Sequence, residues 1–228
     1  MFTNVNLFAP VGALALMGTS FMFLLAAVAF VYTLVRRRFQ ANKRVVAAAA
    51  ALAVIYVAVL LLFSFTSSEQ TLARGQEKHF CEIDCHLAYS VVAVTESQTL
   101  GTPPRQATAA GTFHSVTIKT RFDENTIGPT RGNGLLYPNG RVLTLIDEQG
   151  RHYIPSSTGQ VALEQSKAAG TPFTTPLRPG EAYTTTVVFD VPAEARGASL
   201  LINEAQLLTH FVIGHENSPL HKQAKFQL

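Results

Sequence analysis

The sequence predicts two membrane-spanning helices followed by an all-β domain built as an antiparallel sandwich. Three observations carry that prediction: two long uncharged apolar runs, a short basic segment between them, and a series of short turn-bounded strand patterns. The apolar runs come first. Residues 11–35, VGALALMGTSFMFLLAAVAFVYTLV, and residues 45–65, VVAAAAALAVIYVAVLLLFSF, contain no charged side chain. A helix rises about 1.5 Å per residue, so roughly 20 apolar residues cross a hydrocarbon core, and each run is long enough. The first run does not read as a cleaved signal, because MFTNVNLFAP lacks the positive charge that precedes one and the run is too long.

The segment 36–44, RRRFQANKR, holds Arg36, Arg37, Arg38, Lys43 and Arg44 and no acid. A connection this short makes an antiparallel hairpin of residues 1–65. Its charge predicts a cytoplasmic loop in contact with anionic lipid heads, with both termini and everything after residue 65 on the other side. In a bacterium that means an inner-membrane protein with a periplasmic domain. The whole chain carries 18 Lys+Arg against 15 Asp+Glu. Setting aside the five basic groups of the loop leaves 13 against 15, so the exported part is slightly acidic. The high pI therefore follows from topology and does not indicate a nucleic-acid partner.

Residues 66–85 read as a polar juxtamembrane connector that carries the cysteine pair, and residues 86–228 as the sandwich. Strand patterns occur at 87–94, 113–122, 141–155 (a hairpin around Asp147–Gly150), 176–192, 198–205, 208–214 and 224–228. The stretch SQTLGTPPRQATAAG between the first two has the Gly, Pro and Thr of a loop. No long amphipathic helical pattern is available to cover a parallel sheet, so two antiparallel sheets burying one face each are the natural solution.

Three of these stretches recur in a familiar order: GTFHSVTIKTRF, VLTLIDEQGRHY and LRPGEAYTTTVVFDVPAEA. Together they resemble the immunoglobulin-like domain of unknown function found in many bacterial secreted lipoproteins and surface antigens. The resemblance covers about residues 86–228. It implies an immunoglobulin-like sandwich, an extracytoplasmic location and no catalytic residues, so the chain as a whole reads as two N-terminal transmembrane helices plus an all-β immunoglobulin-like antiparallel sandwich. The helix hairpin and the cysteine pair depart from the usual single lipidated or signal-bearing terminus.

The chemistry of the chain turns on HFCEIDCH, residues 79–86, which contains both of its cysteines. The layout of two helices and an exported β-domain is also that of cytochrome oxidase subunit II, whose copper site uses C-x-x-x-C-x-x-x-H and a methionine. Here Tyr89 stands at the histidine position and no methionine follows Met22, so that likeness is superficial. CEIDCH is one residue longer than the usual haem c attachment sequence, with His86 as the axial ligand it would supply. A zinc or single-copper site would draw on His79, Cys81, Cys85 and His86, but adjacent residues of a strand point to opposite faces. The favoured reading is a Cys81–Cys85 disulfide in an oxidising compartment, with haem c or copper as alternatives and no cofactor favoured. His215 and His221 lie in a polar turn, HENSPLH, and read as solvated loop residues, while Asp123–Glu124 and Asp147–Glu148 read as turn residues.

No nucleophile, metalloprotease or phosphate-loop motif occurs. The expectation is a non-catalytic binding or scaffold protein with membrane lipids and other membrane-complex subunits as partners. An accessory or stabilising subunit of a respiratory or photosynthetic complex fits that description. The alternative is an electron-transfer or metal-handling protein built on Cys81, Cys85 and His86. Small residues on both spans (Gly12, Ala15, Gly18, Thr19 and Ser20 on the first, Ala47–Ala51, Ala53 and Ala58 on the second) are expected to pack helix against helix or against a partner.

Overall fold

The computed structural model describes residues 3–4, 8–80 and 86–228. They form two units: an apolar helix pair together with residues 207–222, and a β-sandwich made from the rest.

In the first unit, helix α1 spans Ala9–Val35 and helix α2 spans Phe39–Thr66. Pro10 sits in the opening turn of α1, where its missing N–H costs nothing. At 27 and 28 residues the helices run roughly 40 Å, beyond the thickness of a hydrocarbon core. Both are long and apolar enough to cross a membrane. Three hydroxyls are satisfied within their own helix: Ser20 donates to the carbonyl of Leu16, Ser64 to Leu60 and Thr66 to Leu62. The expected nine-residue loop is shorter. Only Arg36–Arg38 lies outside the helices, because FQANKR has adequate helix propensity and extends α2 backwards. Arg37 takes a positive φ of 53° to make the reversal, and Thr33 joins Asn42 across it at 3.1 Å.

The second unit is a sandwich of two five-stranded sheets. One has the order β1 (Thr3–Asn4), β3 (Lys78–Phe80), β4 (Leu87–Leu100), β5 (Ala107–Phe122), β8 (Ala182–Val191). The other has the order β2 (Gln70–Leu72), β10 (Ala224–Gln227), β9 (Ser199–Glu204), β6 (Arg141–Ile146), β7 (His152–Tyr153). All neighbours are antiparallel except the edge pairs β1–β3 and β2–β10. The sheets face each other through Tyr89, Val91, Val116, Ile118 and Phe189 on one side and Leu145, Leu200, Ile202 and Phe226 on the other, all buried. The alternation of TTTVVFDV and RVLTLI supplies those inward residues.

Four sequence expectations change. Within the connector 66–85, Gln70–Leu72 and Lys78–Phe80 pair as β2 and β3 and so belong to the sandwich. The expected loop 97–111 narrows to the residues between Leu100 and Ala107, because Thr99 pairs with Thr108 and Leu100 with Ala107. A short helix α3, Ser157–Gln165, went unforeseen; Ser156 caps it through Gly159 N, and Gln160 hydrogen-bonds the β8 backbone at Thr186 and Val188. The expected strand 208–214 is a 3-10 turn, Leu207–Phe211, that belongs with the helices.

Candidate functional site

Charged and aromatic side chains converge where β3 turns into β4. Phe80 pairs with Leu87, Lys78 with Tyr89, and the two strands run antiparallel. The two faces of β3 serve two different networks, because successive side chains point to opposite sides of a strand.

The inward face carries Lys78 and Phe80. The Lys78 ammonium is buried and donates to the carbonyl of Ile202 on the opposite sheet at 2.7 Å. Arg141 on β6 lies in the same interior, 3.3 Å from Glu204 of β9, and donates to the Tyr89 hydroxyl at 3.1 Å. Phe80 lies between the two cations, its ring centre 4.1 Å from the Arg141 guanidinium and 4.6 Å from the Lys78 nitrogen. The Lys78–Ile202 and Arg141–Tyr89 hydrogen bonds and the cation–π contact of Arg141 with Phe80 join one sheet to the other, while the Arg141–Glu204 pair lies within a single sheet.

The outward face carries His79, with Glu77 just before the strand. His79 pairs in register with Ala88, and Ala88 with Arg121 on β5. The small Ala88 side chain leaves room for Arg121 to reach across. Its Nε and Nη2 grip both Glu77 oxygens at 2.8 and 2.7 Å, and its Nη1 lies 3.1 Å from Asp123 Oδ1. The other Asp123 oxygen is 3.1 Å from His79 Nε2. Asn125 donates to Asp123 from its backbone and its side chain, so the carboxylate also caps the 3-10 turn Glu124–Thr126.

These partners set the ionisation states. The hydrogen bonds from Arg121 hold Glu77 below the usual carboxylate range despite partial burial. Burial alone would raise Asp123, but Arg121, His79 and Asn125 outweigh it and hold the carboxyl well below the ordinary value. The same contacts push Arg121 up.

The ligand atoms of Glu77, His79 and Asp123 lie within 4.8 Å of one another, a spacing that a metal ion could bridge. The guanidinium already occupies that role. It neutralises both carboxylates and uses the oxygens a divalent ion would need, so the donor set does not fit a metal without expelling Arg121.

Of the residues singled out from sequence, His79 enters this outward network. His86 is held separately: its Nδ1 is 2.8 Å from Thr126 Oγ1 and its ring stacks on Phe122 at 5.4 Å. The backbone links the two, since Asp123 N donates to His86 O. Cys81 and Cys85 lie outside the described residues, as do their disulfide, haem and copper readings. Arg36, Arg37, Arg38, Lys43 and Arg44 all stay at one end of the helix pair. His215 is a correction: it is buried with Glu216, because HENSPLH folds back into hydrogen bonds with its own unit. Glu77, Arg121 and Asp123 were missed as a cluster, since β3 and β5 are joined only by pairing through β4. The end of the strand at RFDEN was the one available signal.

Fold and site thus define a β-sandwich domain with ion pairs inside each sheet and hydrogen bonds from buried cations between the sheets, on a chain that also carries an apolar helix pair. No family model matches the chain, and no curated protein matches its sequence. Among solved structures it is similar to a secreted protein of Mycobacterium tuberculosis, MPT63, at 13% identity over 72% of this chain and 100% of that one, with a TM-score of 0.43. It is also similar to a conserved hypothetical protein from Bacillus anthracis, at 14% identity over 57% of this chain and 89% of the other, TM-score 0.41. An uncharacterised β-sandwich protein from Clostridium difficile 630 aligns at 9% identity over 71% and 95%, TM-score 0.39.

Proposed function

We propose that the chain is a non-catalytic binding or scaffold protein, held in a bacterial inner membrane by α1 and α2 with its sandwich in the periplasm. Its work is that of an accessory or stabilising subunit of a larger membrane assembly, of which energy-converting complexes are the leading kind. The observation that carries this reading is Arg121. It commits Glu77 and Asp123 to holding strands together, so a cluster with the composition of a reactive centre is taken up by structural contacts. Two further features support it. The resemblance to the immunoglobulin-like extracytoplasmic family favours the same placement. Helix α1 also offers an open surface at Gly18, where nothing lies within 4 Å of an added Cβ, and small residues of that kind let a neighbouring helix approach. In this reading Cys81 and Cys85 close the β3–β4 connection as a disulfide, and the five basic residues contact anionic lipid heads.

Purification from membranes in mild detergent is expected to bring stoichiometric partner subunits with the chain. Recovery only as a lone monomer from intact membranes contradicts the accessory-subunit reading. The same preparation should be colourless, free of stoichiometric metal, and without titratable thiols when denatured. A haem absorption band, or copper in proportion to protein, would instead establish the electron-transfer reading built on Cys81, Cys85 and His86.

A further inference from the structure

Residues 207–222 distribute their side chains in the reverse of a water-facing loop. Leu207, Leu208 and Phe211 are 73%, 68% and 51% exposed, while His215 and Glu216 are 1% and 0% exposed and Thr209, Asn217 and Ser218 are also buried. Thr209, His215, Asn217 and Ser218 are turned inward and hydrogen-bonded within the segment, while His210 is exposed. Asn217 donates from its side chain to Thr209 and from its backbone to His215 Nδ1, and the Ser218 hydroxyl donates to the carbonyl of Val212. Backbone bonds run from Val212 to Thr209, from His215 to Val212 and from Ser218 to His215. Irregular backbone survives at membrane depth only when its polar groups are satisfied within protein in this way.

The depth of the segment is fixed by two contacts with α2. Lys222 N donates to the Ser67 hydroxyl at the helix C-cap, and the Tyr56 hydroxyl donates to the carbonyl of Phe211 at 2.6 Å. Between Ser67 and Tyr56 the helix rises roughly 16 Å, more than twice the reach of a tyrosine side chain. The Phe211 carbonyl therefore lies inside the C-terminal end of α2, within a tyrosine side chain's reach of the level of Tyr56. On the other helix, Ile213 lies against Gly12, so close that a Cβ there would fall 2.0 Å from the Ile213 oxygen.

We propose that residues 207–213 enter the hydrocarbon region beside α1 and α2 as a third membrane element, presenting Leu207, Leu208 and Phe211 to lipid acyl chains. This rests on the reading that the two helices span a membrane. An exposed apolar patch at the depth of the lipid-facing helix surface has acyl chains as its solvent, and burying it there follows the same free-energy rule as burying it in a core.

The chain contains no tryptophan, so single-tryptophan variants of the full protein report one position each. Phe211→Trp and Leu208→Trp test the segment, Phe21→Trp in the middle of α1 tests the anchor, and Tyr137→Trp, exposed on the sandwich, is the aqueous control. Each is reconstituted in phosphatidylcholine vesicles with and without bromine on the acyl chains. Emission from Phe211→Trp and Leu208→Trp should be blue-shifted and lose intensity to bromine as strongly as Phe21→Trp, with Tyr137→Trp unaffected. If Phe21→Trp is quenched and both segment variants are not, the inference fails while the anchor stands. Blue-shifted but unquenched emission from the segment means protein covers it and likewise overturns the proposal. Failure of Phe21→Trp to be quenched removes the membrane reading itself.

Discussion

Replacing Arg121 by methionine should lower sandwich stability by about 3 kcal/mol at neutral pH, the cost of leaving a buried carboxylate without its cation. For a domain of this size that corresponds to a fall of roughly 6–12 °C in Tm, read by circular dichroism of the strand signal in detergent. Asp123 is fully buried and Glu77 partly so, and in the variant both face a desolvation penalty that only His79 and Asn125 offset. The pH dependence separates this cause from lost packing. Both carboxyls have depressed values in the folded protein. The stabilisation they bring is therefore present above their unfolded value, about pH 4, and is lost as pH falls from there towards the folded values. In the variant the buried carboxylates prefer to be protonated, so acid relieves them. The Tm difference between wild type and variant should shrink as pH falls below about 4. A constant difference, or none at any pH, would show that Arg121 is not the neutralising element of the cluster.

The second large effect is a contrast between two glycines of one helix. Alanine is favoured over glycine in a helix interior by about 1 kcal/mol, so Gly18→Ala, where nothing lies within 4 Å, should be neutral or stabilising. Gly12→Ala gains the same propensity but places its methyl inside the Ile213 carbonyl. Overpacking of this kind costs about 1–3 kcal/mol, and the cheapest relief is release of residues 207–222 from α1. Amide exchange at Val212, His215 and Ser218 in detergent should accelerate by roughly 5- to 150-fold in Gly12→Ala. It should stay at the wild-type rate in Gly18→Ala. Equal protection in both variants would mean that the segment does not dock through Gly12.

The helices were legible in the sequence because neither has a polar face, which leaves unbroken apolar runs of helical length. Strands such as β6 and β8 were legible because one face meets a core and the other does not, which writes a period of two into RVLTLI and TTTVVFDV. Where that asymmetry fades, reading failed. The outer ends of β4 and β5 are held by backbone pairing, and their Ser, Thr, Gln and Ala side chains carry little apolar signal. Helix α3 buries only Gly159, Ala162 and Leu163, too few to set up a period. The stretch LTHFVIG alternates like a strand, yet Leu208 and Phe211 face outward while Val212 and Ile213 are buried, a division that the alternation does not predict.

The candidate site was half visible for a related reason. His79 and His86 drew notice through their proximity to cysteine. Asp123 was read as a turn residue, and it is one, since it caps the following 3-10 turn. Its second task, pairing with His79 and Arg121, depends on strand register, which brings together residues far apart in the chain. The same holds for Lys78, Arg141 and Glu204, whose burial reverses the usual exposure of charged side chains.

The proposed function depends on the side of a membrane to which the hairpin would deliver the sandwich. The most direct test is protease accessibility of the full chain, carrying a C-terminal epitope after Leu228, in spheroplasts and in inverted membrane vesicles. The epitope should be removed from spheroplasts and protected in inverted vesicles, while trypsin should cut at Arg36–Arg38 only in the inverted vesicles. Protection of the epitope in spheroplasts, with cleavage at Arg36–Arg38 from outside, would place the sandwich in the cytoplasm and contradict the account.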